Sequence, residues 1–115
     1  MLPRSQRLSQ SRAIVSVMKR GHTVMHDALR FRFFQSTRPT TKIAVVVSLR
    51  VSKRAVIRNR VKRQLHAILG PLVRTFRYPI DGVFSVQPGL EQRTFQELSK
   101  IVDVILRRAQ LISRQ

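Results

Sequence analysis

Cysteine and tryptophan are absent from the 115 residues, tyrosine occurs once, and only four glycines are present. Without thiols the chain can form neither a disulfide framework nor a thiolate metal site, which fits a reducing cytoplasm. Four scattered glycines supply no glycine-rich loop ahead of a helix start, so a nucleotide-phosphate cradle of that kind is excluded. Long apolar runs are missing too: nothing approaches a membrane span. The opening stretch, MLPRSQRLSQSRAIVSVMKR, lacks the apolar core of a signal peptide. A cytoplasmic protein with no membrane partner is expected.

The scarcest feature is negative charge. Five Asp and Glu face 23 Lys and Arg, leaving a formal net charge of +18 and a sequence pI near 12.0. Between Asp27 and Asp81 there is no carboxylate at all, so the cations of the middle of the chain have no internal partners there. Such a field repels itself unless an anion relieves it, and nucleic acid is the commonest polyanion a compact basic domain serves. An acidic protein or a membrane face are weaker alternatives. With 43% hydrophobic residues the chain still has enough apolar surface for one folded core.

Patterning then divides the chain. Residues 1–10 read as a basic flexible arm, and 11–115 as a single nucleic-acid-binding α/β domain. Ser11 can cap a short helix that carries Ile14, Val15, Val17 and Met18 and ends at Lys19, Arg20 and Gly21. LRFRFF, from Leu29, alternates as a half-buried strand, and IAVVVS, from Ile43, is a β-branched run that reads as buried on both faces. These two predict a hairpin.

In KRAVIRNRVKR, Lys53 to Arg63, six basic residues surround Val56, Ile57 and Val61 at helical spacing. Ile57, Val61, Leu65, Ile68 and Leu72 continue one stripe, which predicts a helix ending near Gly70-Pro71. At 100° per residue, Arg58, Asn59, Lys62, Arg63 and His66 fall opposite that stripe, with Arg60 on its flank. GVFSV, from Gly82, predicts a further strand, and Thr94-Phe95-Gln96-Glu97 has capping-box spacing ahead of a last helix. That helix carries Phe95, Leu98, Ile101, Val102, Ile105, Ala109 and Ile112 on one face.

Charge runs are usually solvated faces, but such faces interleave Glu or Asp at helical spacing, and none is present here. Guanidinium forks bind phosphate oxygens in pairs, Lys62 adds a point charge, and Asn59 can donate to a phosphate or a ribose hydroxyl. The surface suits a nucleic-acid backbone rather than a base code. His22 and His26 have no third ligand in view, so no metal site is expected. Ser48, Ser52, Asp81 and the histidines offer no nucleophile beside a base, which argues against protein-borne catalysis. Phe31, Phe33, Phe34, Tyr78 and Phe84 could stack bases, yet strand aromatics are mostly core, leaving one or two at most for RNA.

AVIRNRVKR, Ala55 to Arg63, resembles the RNR signature of the protein subunit of bacterial ribonuclease P. Arg7-Leu8, VMKRG from Val17, the segment from Asp81, the Thr94 cap and the helix ending in Arg107-Arg108 follow in the family's order. The resemblance implies an α+β or α/β sandwich, ribosomal protein S5 domain 2-like. It has a small sheet of about four strands flanked by helices and a left-handed βαβ crossover, against the usual hand.

It further implies a single protein copy within a ribonucleoprotein whose catalytic RNA, with Mg2+ held mainly by that RNA, removes the 5′ leader of precursor tRNA. Arg50, Lys53, Arg54, Arg58, Asn59, Arg60, Lys62, Arg63 and His66 would contact the RNA subunit. Arg7, Arg12, Ile14, Met18, Arg30 and Arg32 would line a cleft for the leader. Ile14 and Met18 stand where relatives often carry Phe, and Arg32 where they often carry Tyr, so leader binding would rest more on charge. Arg50-Val51 replaces a lysine pair, and His66 replaces an arginine. The alternative is a ribosomal or RNA-chaperone protein with no cleavage role.

Overall fold

The computed structural model describes Ser5, Arg7, Leu8 and residues 11–112. Its elements are α1 (Ser11–Arg20), β1 (His22–His26), β2 (Leu29–Gln35), β3 (Lys42–Val47), α2 (Ala55–Val73), β4 (Ile80–Val86), a 3-10 turn (Leu90–Gln92) and α3 (Phe95–Arg108). The four strands form one mixed sheet in the order β1-β2-β4-β3, antiparallel except for the β3–β4 pair.

Alternation along the strands sorts the side chains onto two faces. Leu29, Phe31 and Phe33 of β2, Ile43 and Val47 of β3, and Ile80, Phe84 and Val86 of β4 join the buried faces of α2 and α3 in the main core. Phe31 stacks on both Phe33 and Phe84, with ring centroids 4.9 and 4.2 Å apart. On the opposite face Ala44 and Val83 pack with Leu8 and with Val17 of α1. The result is three layers: α1, the sheet, then α2 over β3 and α3 over β1.

Several expectations change. β2 and β3 do not form a hairpin, because β4 lies between them and pairs with both. The chain leaving β2 stays beside the approach to β4, where Ser36 N–H donates to the Pro79 carbonyl at 2.9 Å. A β-branched run looks alike at the centre and the edge of a sheet, and β3 proves to be an edge strand, with Val46 40% exposed. The strand buried on both faces is β4. β1 was not anticipated; it turns into β2 through Asp27, which takes a left-handed φ of 54° without the glycine that would announce such a hairpin.

α2 runs through Gly70-Pro71 to Val73, since the proline lacks only one helical N–H and the last turn is held by the buried Leu69 and Val73. Val56, the apolar neighbour of the stripe, is 70% exposed, and Phe95, expected on the apolar face of α3, is 47% exposed. α3 has its expected capping box. It stops before Ala109 and Ile112 because Gln110 turns left-handed at φ 61°. Leu111 N–H then reaches the Leu106 carbonyl and Gln110 N–H the Arg107 carbonyl, the Schellman pattern. Most of the expected 1–10 arm lies outside the described residues. Arg7 and Leu8 are docked: Arg7 bridges Ile43, Leu8 N–H donates to the Ile43 carbonyl at 2.8 Å, and Leu8 is buried.

Gly21 joins α1 to β1 where a Cβ would meet the Val17 carbonyl oxygen at 2.6 Å and the Phe33 nitrogen at 2.9 Å. Both are backbone atoms, which cannot swing aside. Gly21→Ala should therefore lower stability by about 1–3 kcal/mol, read from the urea midpoint; an unchanged midpoint would show that this junction opens freely.

Candidate nucleic-acid interface

α2 is held by a stripe of Val61, Leu65, Ile68, Leu69 and Val73, all buried against the sheet and α3. Asn59, Arg60, Lys62 and Arg63 are exposed on the remaining arc, with Lys53 and Arg54 exposed just before the helix. Its first turn contains no acidic residue, and Arg54 at the N-cap makes no side-chain capping bond. The positive end of the helix dipole therefore points at a cluster of cations. That arrangement is unfavourable alone and favourable with an anion present.

Two of these arginines also serve the fold. Arg58 is half-buried and donates from Nη1 to the Ser52 carbonyl at 2.9 Å, closing the loop before α2. Arg60 donates from Nη2 to the Glu91 carbonyl at 2.8 Å, tying α2 to the 3-10 turn. A guanidinium has five N–H donors, so each keeps others for a ligand. Arg50 is exposed in the loop after β3, whereas its neighbour Val51 is buried in the main core. Position 51 is thus a packing position in this chain.

All five carboxylates are engaged. Asp27 pairs with Arg93 at 3.0 Å, Asp81 with Arg38 at 2.5 Å and Asp103 with Arg107 at 2.8 Å. Glu97 closes the α3 capping box, and Glu91 accepts from Gly89 N–H at 2.7 Å. The Arg93 guanidinium holds the Asp27 carboxyl below its ordinary pKa. Among the described residues, none of the ion pairs involves a cation of α2, and no group of three or more potential metal ligands occurs.

The expected cleft residues do not all meet. Row by row across the sheet, Thr23, Arg32, Val83 and Ala44 lie side by side, and the next row on the same face is Met25, Arg30, Ser85 and Val46. α1 covers the first of these rows, where half-buried Ile14 and Met18 pack beside Val17. The second row stays open, with Met25 47% and Val46 40% exposed. Arg30 lies in this open row.

Arg32 is half-buried, and its Nη1 donates to the Met18 carbonyl at the end of α1, where a cation complements the helix dipole. Arg32 therefore acts first as a clamp on α1. Arg12 is exposed, in a shallow apolar depression with Val15 and Lys19. Arg7 stands by the outer edge of β3, close enough for its charge to act on His66. Met25, Ser85 and Val46 were not anticipated in this groove, because strand order, and β1 itself, were not legible locally.

His66 is half-buried. Burial is the largest cause holding its pKa below the ordinary value, and the charges of Arg7 and Lys62 push the same way. It is therefore mainly neutral at neutral pH. The unfolded chain takes up this proton near pH 6.5 while the fold resists it, so stability is lost as pH falls from there through the depressed folded value. His66→Gln should flatten the stability curve in that window; denaturation midpoints that fall just as steeply in the variant would rule out this role.

With this geometry established, comparison with known proteins identifies relatives. The family model described as Ribonuclease P matches residues 2–110. The ribonuclease P protein component of Synechococcus elongatus is 33% identical over 99% of this chain and 98% of its own length. That of a Pseudanabaena species is 34% identical over 97% of both chains. Among solved structures, the Staphylococcus aureus RNase P protein superposes with a TM-score of 0.86 at 16% identity, covering 94% of this chain and 98% of that one. The Thermotoga maritima RNase P protein gives 0.79 at 19% identity, covering 89% and 96%.

Proposed function

Given that this chain belongs to the ribonuclease P protein family, we propose that α2 and its approach hold the catalytic RNA while the open sheet row holds the 5′ leader of precursor tRNA. As a subunit of this tRNA-processing ribonucleoprotein, the chain supplies binding surface and electrostatics, and the cleavage chemistry lies on the RNA. The observation that carries this reading is the unpaired basic surface of α2, in a chain whose every carboxylate is already used elsewhere.

Phosphates meeting this surface release condensed counterions, which is the main source of affinity for a polyanion. The same charges lower the repulsion between two RNAs brought together and help the folded catalytic RNA retain its cations. A carboxylate locked in an ion pair or a cap fits a divalent cation poorly. That supports leaving Mg2+ to the RNA, and no step of the reaction is assigned to a metal on this chain.

The leader groove would use the row of Met25, Arg30, Ser85 and Val46 beside α1. Its apolar ends give a base a surface to lie on, and Arg30 at its centre faces the sugar-phosphate backbone. With Arg32 tied to α1, charge in this groove rests on Arg30 more than on Arg32. The family match does not favour a ribosomal or chaperone protein without a cleavage role.

Reconstitution tests the reading. At low magnesium, adding the protein to a bacterial ribonuclease P RNA and a precursor tRNA should accelerate leader release, and RNA binding without acceleration would defeat the proposal. Lys62→Ala and Arg63→Ala should each lower the salt dependence of RNA binding by about one counterion with little change in stability. Arg58→Ala and Arg60→Ala should do the same and also cost up to about 1 kcal/mol of stability, because each loses a tether to a backbone carbonyl. Unchanged salt slopes in all four variants would remove α2 from the interface.

A further inference from the structure

At the end of α2 far from the RNR signature, a cavity of about 330 Å³ opens between Val73, the 74–79 segment and the loop carrying Pro39, Thr40 and Thr41. The 19 residues of α2 separate it from the helix start by about 27 Å at the helical rise per residue. It belongs to neither surface described above.

Phe76 and Tyr78 line this cavity. Both are half-buried and pack against the main core, so their rings are held in place. Arg74 and Arg77 stand exposed at its rim, and neither has an ion-pair partner among the described residues. No acidic residue lines it.

The walls are set before any ligand arrives. Arg77 N–H donates to the Leu111 carbonyl at 2.9 Å, and Thr75 caps the Leu72 carbonyl through both its amide and its hydroxyl, at 2.9 and 2.7 Å. Across the cavity, the Arg38–Asp81 pair anchors the loop next to Pro39, and Thr41 Oγ1 accepts from Ile80 N–H at 3.2 Å. Fixed aromatic faces beside unpaired guanidinium groups match one chemistry well. A base stacks on the rings and its flanking phosphates take the forks.

We propose that this cavity is a second RNA site, which takes one unpaired nucleotide through Phe76, Tyr78, Arg74 and Arg77. The inference rests on the RNA-binding reading above and extends it to the other end of the same helix. A duplex keeps its bases stacked and could not fill the site, so selectivity for unpaired RNA follows from the shape. The nucleotide could come from the RNA subunit or from the precursor.

Tyr78 is the only tyrosine in the chain, so 3-fluorotyrosine labelling places one fluorine signal in the cavity. Titrating the labelled full chain with a ten-nucleotide uridylate should move that resonance, and a duplex of the same length should not. Arg74→Ala combined with Arg77→Ala should weaken decamer binding about tenfold and abolish the shift, while Arg58→Ala with Arg60→Ala should leave the shift in place. A photo-crosslinking benzophenone at position 78 of the reconstituted particle would then label the RNA subunit or the precursor, naming the source. A resonance that stays put while the decamer binds, together with unchanged affinity in the Arg74/Arg77 variant, would overturn the second site and leave α2 untouched. Failure of the chain to bind any RNA would overturn both readings.

Discussion

Everything in this fold is arranged around self-repulsion. A net charge of +18 on 115 residues leaves few ways to keep cations close together, and α2 shows how it is done. Its buried stripe of Val61, Leu65, Ile68 and Leu69 anchors the helix so firmly that its other side can hold like charges without internal counterions. Burial of four such side chains is worth several kcal/mol at about 1.5–3 kcal/mol each. The core stabilises, in effect, a surface that would otherwise drive the chain apart, and the anion that meets this surface removes the strain.

The five carboxylates show the complementary economy. Three of them act at junctions: Asp27 and Arg93 hold the β1–β2 turn to the start of α3, Asp81 and Arg38 hold the loop before β3, and Glu97 caps α3, while Asp103 pairs with Arg107 within α3. Placing them there leaves the field of α2 undiluted. Arg32, Arg58 and Arg60 extend the same logic to cations: each bonds a backbone carbonyl, Arg32 and Arg60 joining two elements and Arg58 closing the loop before α2, while staying near the proposed RNA surfaces. Binding and architecture share these residues, so their substitution acts on both.

The sheet contributes by leaving part of itself uncovered. α1 packs on the Arg32 row and on Phe34 beyond it, while the row of Met25, Arg30, Ser85 and Val46 on the other side stays accessible. The open row is therefore a consequence of where α1 docks and of strand order, and the polar and apolar residues in it come from four different strands.

What the sequence alone determined is local or global in a simple sense. Net charge excludes most partners, the 3.6-residue spacing from Ile57 onward defines α2 and its outward cations, the Thr94–Glu97 box starts α3, and the RNR signature points to the family. Tertiary structure decided what depends on distant apolar faces choosing each other. It set β4 between β2 and β3, docked Arg7 on the edge of β3 at Ile43, laid α1 over Arg32, and brought Phe76 and Tyr78 to the loop at Pro39. Periodicity tells a segment which of its sides is apolar, but the partner for that side is selected by packing over the whole chain. No local pattern encodes that choice.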